Sequence, residues 1–497
     1  MGSGDESIKP VLKASSEVLR RRRMMTSVRE LVPPRAELVR KQLRFTPSDR
    51  RKLRQTADTM TSQIAMAAIQ DVAMNELQSS GSGALQPLFD SDVIKDAMSA
   101  AVRRRKLQSD SEEPAGFRRF WSSRSAVLEL RRDDLNKLRD LPGVGAVYPN
   151  RHINLPPIME VKYVPDAVAE NKTSAWGVER IGALASWGVY GTKGRPDPAQ
   201  APVKVAVLDT GVDPTHPELK GKIKHWAEFD GEGKEVANSK PHDSSKHGTH
   251  VCGIIAGSRH NPPSSGHPII GVAPEVEVAA GLVLKGGSGT YAQILAGMEW
   301  AIETGAEVIN MSFGSVGFTP DVADIYARTI LNANLVGIPV VVAIGNEGAQ
   351  TSGTPGNDYF AFAVGATDIR DRIGGFSGGR TQVIEESRYI SGRDLPLIYS
   401  KPEVSAPGVA VRSCVPGNKY EVWNGTSMAT PHVAGALALL LATTDIRSIP
   451  AWLRAFVLQD LLTSSAEELG EYGQDHRFGF GRINVLRAIT LAKELGY

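Results

Sequence analysis

Asn424-Gly425-Thr426-Ser427-Met428-Ala429-Thr430-Pro431-His432 is a loop of small residues that delivers one serine to the first turn of a helix. The helix then runs apolar through Val433, Ala434, Ala436, Leu437, Ala438, Leu439, Leu440 and Leu441. A helix hydrophobic nearly all round is a buried helix. Ser427 therefore stands at the positive end of a helix dipole on a rigid support, where negative charge near an attacking oxygen is tolerated. A serine at such a place can also be a simple N-cap, so its assignment depends on partners elsewhere in the chain.

Two stretches upstream supply them. Val203-Lys204-Val205-Ala206-Val207-Leu208-Asp209-Thr210-Gly211-Val212-Asp213 reads as a buried parallel-type strand that ends on a carboxylate and a glycine turn. Open α/β sheets place their sites at the carboxyl ends of strands, which makes Asp209 a candidate catalytic acid. His247-Gly248-Thr249-His250-Val251-Cys252-Gly253-Ile254-Ile255-Ala256-Gly257 reads as the start of a helix whose small residues allow close packing. His247 and His250 could share a helix face, but the Glu and second His of a zinc helix are missing, so no metal site is expected there. Asp209, His247 and Ser427 together supply an orienting carboxylate, a general base and a nucleophile. The chain order differs from those of chymotrypsin and the α/β-hydrolases, and the serine block lacks the second glycine of a nucleophile elbow.

Asp-Thr-Gly, His-Gly-Thr-His and Gly-Thr-Ser-Met-Ala-Thr-Pro-His resemble the three signature blocks of the subtilisin-like serine proteases. The resemblance covers roughly residues 175–490, with the lead-in Trp176-Gly177-Val178 and the closing Gly479-Phe480-Gly481-Arg482-Ile483-Asn484. It implies an α/β fold, a mainly parallel sheet flanked by helices. The sequence agrees, with expected strands near 203–209, 276–284, 306–311, 339–344 and 361–365 alternating with helices near 290–304, 320–336 and 427–443. The implied chemistry is peptide-bond hydrolysis through an acyl-enzyme. Val340 to Gly348 resembles the block that carries the family's oxyanion-hole amide, which points to Asn346, with the Ser427 backbone N–H as the second donor.

The same resemblance implies a peptide clamp. Gly286-Gly287-Ser288-Gly289 and Ser312-Phe313-Gly314 look like the two edge segments that hold an extended substrate by main-chain pairing, a mode tolerant of sequence. The first specificity pocket would lie between Ser312–Gly314, Ala343–Asn346 (including Gly345) and Gly353. Its small, apolar walls favour a large apolar residue before the cut, with Glu347 at the rim offering a weaker attraction for Lys or Arg. No cofactor is needed for the chemistry. Family members often hold structural calcium through a loop after the catalytic histidine helix. Here that loop, Ser258 to Ile270, has no carboxylate, the nearby acid is Glu218, and the position near the mature start is Lys172. Calcium needs several oxygen ligands, so none is expected at that loop, while another site stays open. Residues 377–401 run longer than in compact members and are expected to form a surface loop. Cys252 is expected to be a buried, inert thiol.

At 497 residues two or three units are expected. The divisions are 1–114, a basic and largely helical extension; 115–157, a small α+β segment; 158–174, a linker; and 175–497, the catalytic domain. The extension has helix-like spacing over Arg50–Leu77 and Asp92–Leu107, a break at Ser79–Gly83, and no recognisable chemistry. Within 117–157 the pattern predicts a strand at Ser125–Leu130, a short helix at Asp133–Leu141, and a strand at Gly145–Leu155 broken at Pro149. This resembles the C-terminal half of the propeptide inhibitor that precedes many subtilisin-like proteases. It implies the chain's own N-terminal segment as an intramolecular inhibitor, with any maturation cut in 158–173.

Residues 1–171 hold 29 basic and 22 acidic residues, leaving 28 and 33 for the rest. No recognition motif accompanies the basic front, so a nucleic-acid partner is not expected. No apolar run reaches membrane-spanning length. The N-terminus does not open like a secretory signal, and two cysteines are too few for a disulfide framework, which together favour the cytoplasm. Met1-Gly2-Ser3-Gly4 could be an added scar that has replaced a leader, which would make the protein secreted. The expected partner is a polypeptide substrate; the oligomeric state is open. Two alternatives remain at this level: a peptide ligase or macrocyclase using the same triad, and an interaction protein acting through its basic front.

Overall fold

Val205 and Val207 enter one hydrophobic core while Ala206 and Leu208 enter another, on the opposite face of the same strand. That is why the stretch before Asp209 is apolar without a break: it is covered by helices on both sides. The computed structural model describes residues 117–120, 122–123, 125–128, 146–156, 159–161, 174–197, 200–258, 268–317, 325–386 and 395–497.

The chain begins with strands β1 (Phe117–Phe120), β2 (Ser125–Leu128), β3 (His152–Asn154) and β4 (Met159–Glu160), followed by helices α1 (Trp176–Arg180) and α2 (Ala183–Tyr190). Strands β5 (Lys204–Asp209) and β6 (Ile223–Glu228), helix α3 (His247–Ala256), strands β7 (Glu277–Leu282) and β8 (Ser288–Thr290) and helix α4 (Tyr291–Glu303) come next. Strands β9 (Val308–Met311) and β10 (Ser315–Gly317), helix α5 (Ala327–Leu335), and strands β11 (Val340–Ala343), β12 (Ser352–Thr354) and β13 (Phe362–Thr367) continue the alternation. The last part holds β14 (Arg380–Ile384), β15 (Leu397–Lys401), β16 (Val404–Pro407), β17 (Val411–Val415), β18 (Lys419–Asn424), α6 (Thr426–Thr443), α7 (Ala451–Ser464) and α8 (Val485–Glu494).

Seven strands form one parallel sheet in the order β16-β13-β11-β9-β5-β7-β6. From β5 the chain first builds outward through β6 and β7, then crosses back and builds the other way from β9. Strand order reverses at β5 and β9, and open sheets place their crevice at the carboxyl end of such a switch. Asp209 closes β5 and Ser312 follows β9, so both lie at that crevice. Helices α3 and α6 cover one face and α4 and α5 the other. Helix α6 is buried along nearly its whole length, as its all-round apolar sequence requires. Its length and composition would also suit a membrane span, but 94% of its apolar window is inside the protein.

The expected strands and helices of the catalytic region are present within a few residues. The helix expected from 320 is described from Ala327; residues 318–324 lie outside the described residues. Three expectations need correction. The segment 377–401 is not a plain loop: β14 and β15 pair as an antiparallel hairpin, with Ile384, Leu397 and Tyr399 packed together. Its buried face includes Gln382 and Lys401, polar residues that hide the alternation in the sequence. The strand expected over Gly145–Leu155 shrinks to His152–Asn154, because Pro149 cannot donate a ladder hydrogen bond. Finally, β2 is preceded by a strand the pattern did not reveal, Phe117-Arg118-Arg119-Phe120, which pairs with it in full register. The helices expected over Arg50–Leu77, Asp92–Leu107 and Asp133–Leu141 lie outside the described residues.

Candidate active site

Asp209, at the end of β5, is fully buried. Its Oδ1 accepts the Thr210 backbone N–H at 2.7 Å and the His247 Nδ1–H at 2.7 Å. The chain can turn this sharply because Gly211 has φ +105°, and a Cβ there would sit 2.0 Å from the His242 carbonyl oxygen. His247 is the first residue of α3. Burial alone would push its imidazole down, but the charge and hydrogen bond of Asp209, helped by Asp243, hold it above the ordinary histidine value. Its ring lies near-parallel to the Trp423 indole, with centroids 6.2 Å apart.

Ser427 sits in the first turn of α6, and its hydroxyl donates to the Ser312 carbonyl at 2.7 Å. Asn346 follows β11. Its side-chain oxygen accepts the Thr426 backbone N–H at 2.8 Å and the Thr426 hydroxyl at 2.9 Å, which fixes the amide with its NH₂ free to face the cleft. A Cβ built on Gly425 would lie 3.6 Å from the Ser427 nitrogen and 3.7 Å from the Asn346 Nδ2. Two hydrogen-bond donors therefore flank one small space beside the serine.

Gly287, Ser288 and Gly289 form an edge that is occupied. Strand β3 pairs antiparallel along it, with His152 opposite Thr290, Ile153 opposite Gly289 and Asn154 opposite Ser288. The Leu155 N–H continues the pairing to the Gly287 carbonyl at 2.8 Å. Further along, β4 pairs with β18, the strand that leads into Ser427, with Met159 opposite Asn424 and Glu160 opposite Trp423. Gly314, Gly345 and Gly353 come together: a Cβ on Gly314 or on Gly345 would lie 3.3 Å from Gly353 atoms. The Glu347 carboxylate bends back to accept the Asn346 N–H at 2.9 Å. The Phe313 ring is 1% exposed and belongs to the core beneath this edge.

The second histidines of the motifs serve packing. His250 stacks on Trp423 at 4.1 Å, and burial lowers its pKa to about 3. His432 is hydrogen-bonded to the Met428 carbonyl at 2.8 Å, and burial lowers it to about 4. Gly177 abuts it so closely that a Cβ would lie 2.3 Å from its Nε2. The lead-in block and the serine block, far apart in sequence, are thus one packed unit. Cys252 and Cys414 are both free and buried, and burial pushes both thiols up.

The loop after α3 does not fit calcium at its described residues. Glu218 accepts the Tyr420 hydroxyl at 2.6 Å. Nearby, the Lys222 ammonium donates to the Ala256 carbonyl, the Ser258 hydroxyl and the Pro274 carbonyl. A fixed ammonium takes up oxygens that a cation would need. Among the described residues no group of three or more His, Cys, Asp or Glu side chains could hold a metal ion.

A buried carboxylate–imidazole pair at the switch point of a parallel sheet, together with a serine in the first turn of a buried helix, supplies the groups of a serine-hydrolase site. Residues 200–481 match the family model described as the Subtilase family. Subtilisin NAT of Bacillus subtilis subsp. natto is 38% identical over 292 residues, 58% of this chain and 65% of that protein. The subtilisin of Bacillus pumilus is 37% identical across 90% of its length, and subtilisin Savinase of Lederbergia lenta 37% identical across 96%. The chain belongs to the subtilase family. It spans a little under two thirds of the length of subtilisin NAT and of subtilisin E of Bacillus subtilis.

Three participants escaped the sequence reading. The Thr426 backbone N–H donates to Asn346 directly, while Asp243 and the Thr210 hydroxyl hold the residues next to Asp209 and His247, Thr210 and Gly248. Asp243 had one weak signal, a carboxylate four residues ahead of His247, where a helix start favours one.

Proposed function

We propose that this protein is a serine endopeptidase that works through Asp209, His247 and Ser427 and is held in check by its own N-terminal segment. Ser427 turns from the Ser312 carbonyl toward His247 and attacks the scissile carbonyl. His247 takes the hydroxyl proton and returns it to the leaving amine, giving an acyl-enzyme and a free amino end. Asp209 fixes the Nδ1–H tautomer and stabilises the imidazolium. The oxyanion lies between the Asn346 NH₂ and the Ser427 N–H. Water, deprotonated by His247, then hydrolyses the ester and restores Ser427. Calcium enters no step.

The observation that carries this reading is the pairing of residues 152–155 with the Gly287–Thr290 edge and of residues 159–161 with β18. Pairing on one side ends at Leu155 and resumes on the other at Met159, with the Val161 N–H reaching the Val422 carbonyl at 2.7 Å. A polypeptide substrate would be clamped in the same way, by main chain rather than by side chains. Between the two paired stretches stand Pro156, Pro157 and Ile158. A proline that must serve as the leaving group has no N–H and a fixed φ, which supports a strand that binds like substrate but is cut slowly. The glycine-walled pocket of Gly314, Gly345 and Gly353 suits a large apolar side chain before the cut. Glu347 at its rim adds a weaker draw for a basic one.

Intact mass and N-terminal sequencing of the wild type and Ser427→Ala, each with a fluorophosphonate probe, test the proposal. Probe on the wild type at Ser427, and none on the variant, supports the triad. Loss of the front from the wild type alone supports self-maturation, and a full-length labelled protein supports a retained inhibitor. If the wild type takes no probe, the assignment falls.

A further inference from the structure

Asp209 is held through one oxygen. Its Oδ1 takes both hydrogen bonds, from Thr210 and from His247, while its Oδ2 is buried with no hydrogen-bond partner. The orientation of the couple therefore depends on how firmly Thr210 and the start of α3 are fixed to one another. A single carboxylate joins them. Asp243 Oδ1 accepts the Thr210 hydroxyl at 2.7 Å and the Ser245 N–H at 3.0 Å. Its Oδ2 accepts the Thr249 N–H at 2.8 Å and the Thr249 hydroxyl at 2.5 Å. The Thr210 hydroxyl in turn accepts the Gly248 N–H at 2.9 Å, one residue past His247. The Thr249 hydroxyl accepts the Asp213 N–H at 2.9 Å, back in the segment that follows Asp209.

We propose that Asp243 is a positioning residue for the Asp209–His247 couple, clamping the end of β5 to the start of α3 through the hydroxyls of Thr210 and Thr249. The proposal rests on the functional reading above and deepens it. A helix start often recruits an aspartate only as a cap, but a cap would engage the α3 backbone alone. Here two of the four donors are hydroxyls, and one of them belongs to the residue that anchors Asp209.

Asp243 also acts by charge. The groups that act on His247 are Asp209 from β5, Asp243 ahead of α3 and His250 on α3, with Cys252 further along the helix and the Lys246–Glu421 pair next to it in the chain. His250 and Cys252 stay neutral near pH 7, and Lys246 and Glu421 offset one another at 2.8 Å. Removing the Asp243 charge leaves Asp209 as the main support of the imidazolium, so His247 becomes less basic. Because the reactive form is the neutral imidazole, the acid limb of the reaction then moves to lower pH.

The test is the second-order rate of fluorophosphonate labelling from pH 5 to 9, on the full chain. The variants are Asp243→Asn, Thr210→Val and Thr210→Ser. Asp243→Asn is expected to lower the plateau by about 10- to 100-fold, the range for a small misplacement of reacting groups. Its acid limb is expected to fall by about one pH unit, the lower end of the effect of a nearby charge. Thr210→Val is expected to lower the plateau and leave the limb in place, and Thr210→Ser to recover the plateau. A folded Asp243→Asn whose curve superimposes on the wild type, or a Thr210→Val with an unchanged plateau, overturns the positioning role. If Asp243→Asn fails to fold, the Thr210 pair decides alone. A wild type that labels at no pH sinks the functional reading itself, and this one with it.

Discussion

Asn346 shows how much one side chain can carry when its neighbours fix it. Its oxygen is committed to Thr426, so in the proposed mechanism its NH₂ needs no reorganisation to meet an oxyanion. Asn346→Leu should lower kcat by about 10²–10³, the range known for this donor in subtilisin, with KM little changed. Steady-state kinetics on a fluorogenic peptide would show this, and a matched rise in KM would count against it. The buried histidines make a second residue-level prediction. Burial lowers His250 to about 3 and His432 to about 4. Between those values and the ordinary histidine value the unfolded chain binds protons that the folded chain does not, so stability rises with pH there and falls as pH drops below about 6.5. The urea midpoint should therefore be lower at pH 5 than at pH 7. A His432→Gln variant should lose part of that difference.

At the scale of elements, the N-terminal strands are docked by more than main chain. Ile153 and Phe120 are fully buried in the core beneath α4. The turn after β1 reaches across it: the Ser122 N–H donates to Glu299 at 2.8 Å, and the Asn332 side chain donates to the Ser122 carbonyl at 2.6 Å. An aspartate in place of Ile153 would cost about 2 kcal/mol or more on burial, roughly a 30-fold weaker dock. Full-length Ile153→Asp should thus take a fluorophosphonate faster than the full-length wild type. Equal rates would mean that this strand does not limit access.

At the scale of the molecule, Lys222 ties together the start of β6, the end of the histidine-bearing helix α3 and the turn before β7. Burial lowers its pKa to about 8. Lys222→Met would leave two carbonyls without a donor, at about 1–3 kcal/mol each. Its melting temperature should fall, and added calcium should not restore it. Recovery with calcium would show that the loop can still build a cation site.

The three proposed catalytic residues were legible as candidates because each sits in a local pattern with its own physics: a strand end, a helix start and a small-residue loop. The sheet was legible because burial on both faces writes a continuous apolar run. The β14–β15 hairpin was not, since polar Gln382 and Lys401 lie on its buried face, and Lys401 is satisfied there by Glu403 and by the Ala361 carbonyl, which lies far upstream in the chain. The Asp243 clamp was hidden for the same reason. A carboxylate's value there depends on two hydroxyls being brought to it, and sequence does not encode that distance.

The sequence by itself determined the family and the α/β class and named the candidate residues for the site, because those features rest on local periodicity and on motifs with fixed chemistry. Only the tertiary structure decided that the Ser427 hydroxyl rests on the Ser312 carbonyl, that residues 152–155 and 159–161 pair with β8 and β18, and that an ammonium sits beside Glu218. Each of these is a contact between segments far apart in the chain, and its energy depends on geometry that folding alone supplies.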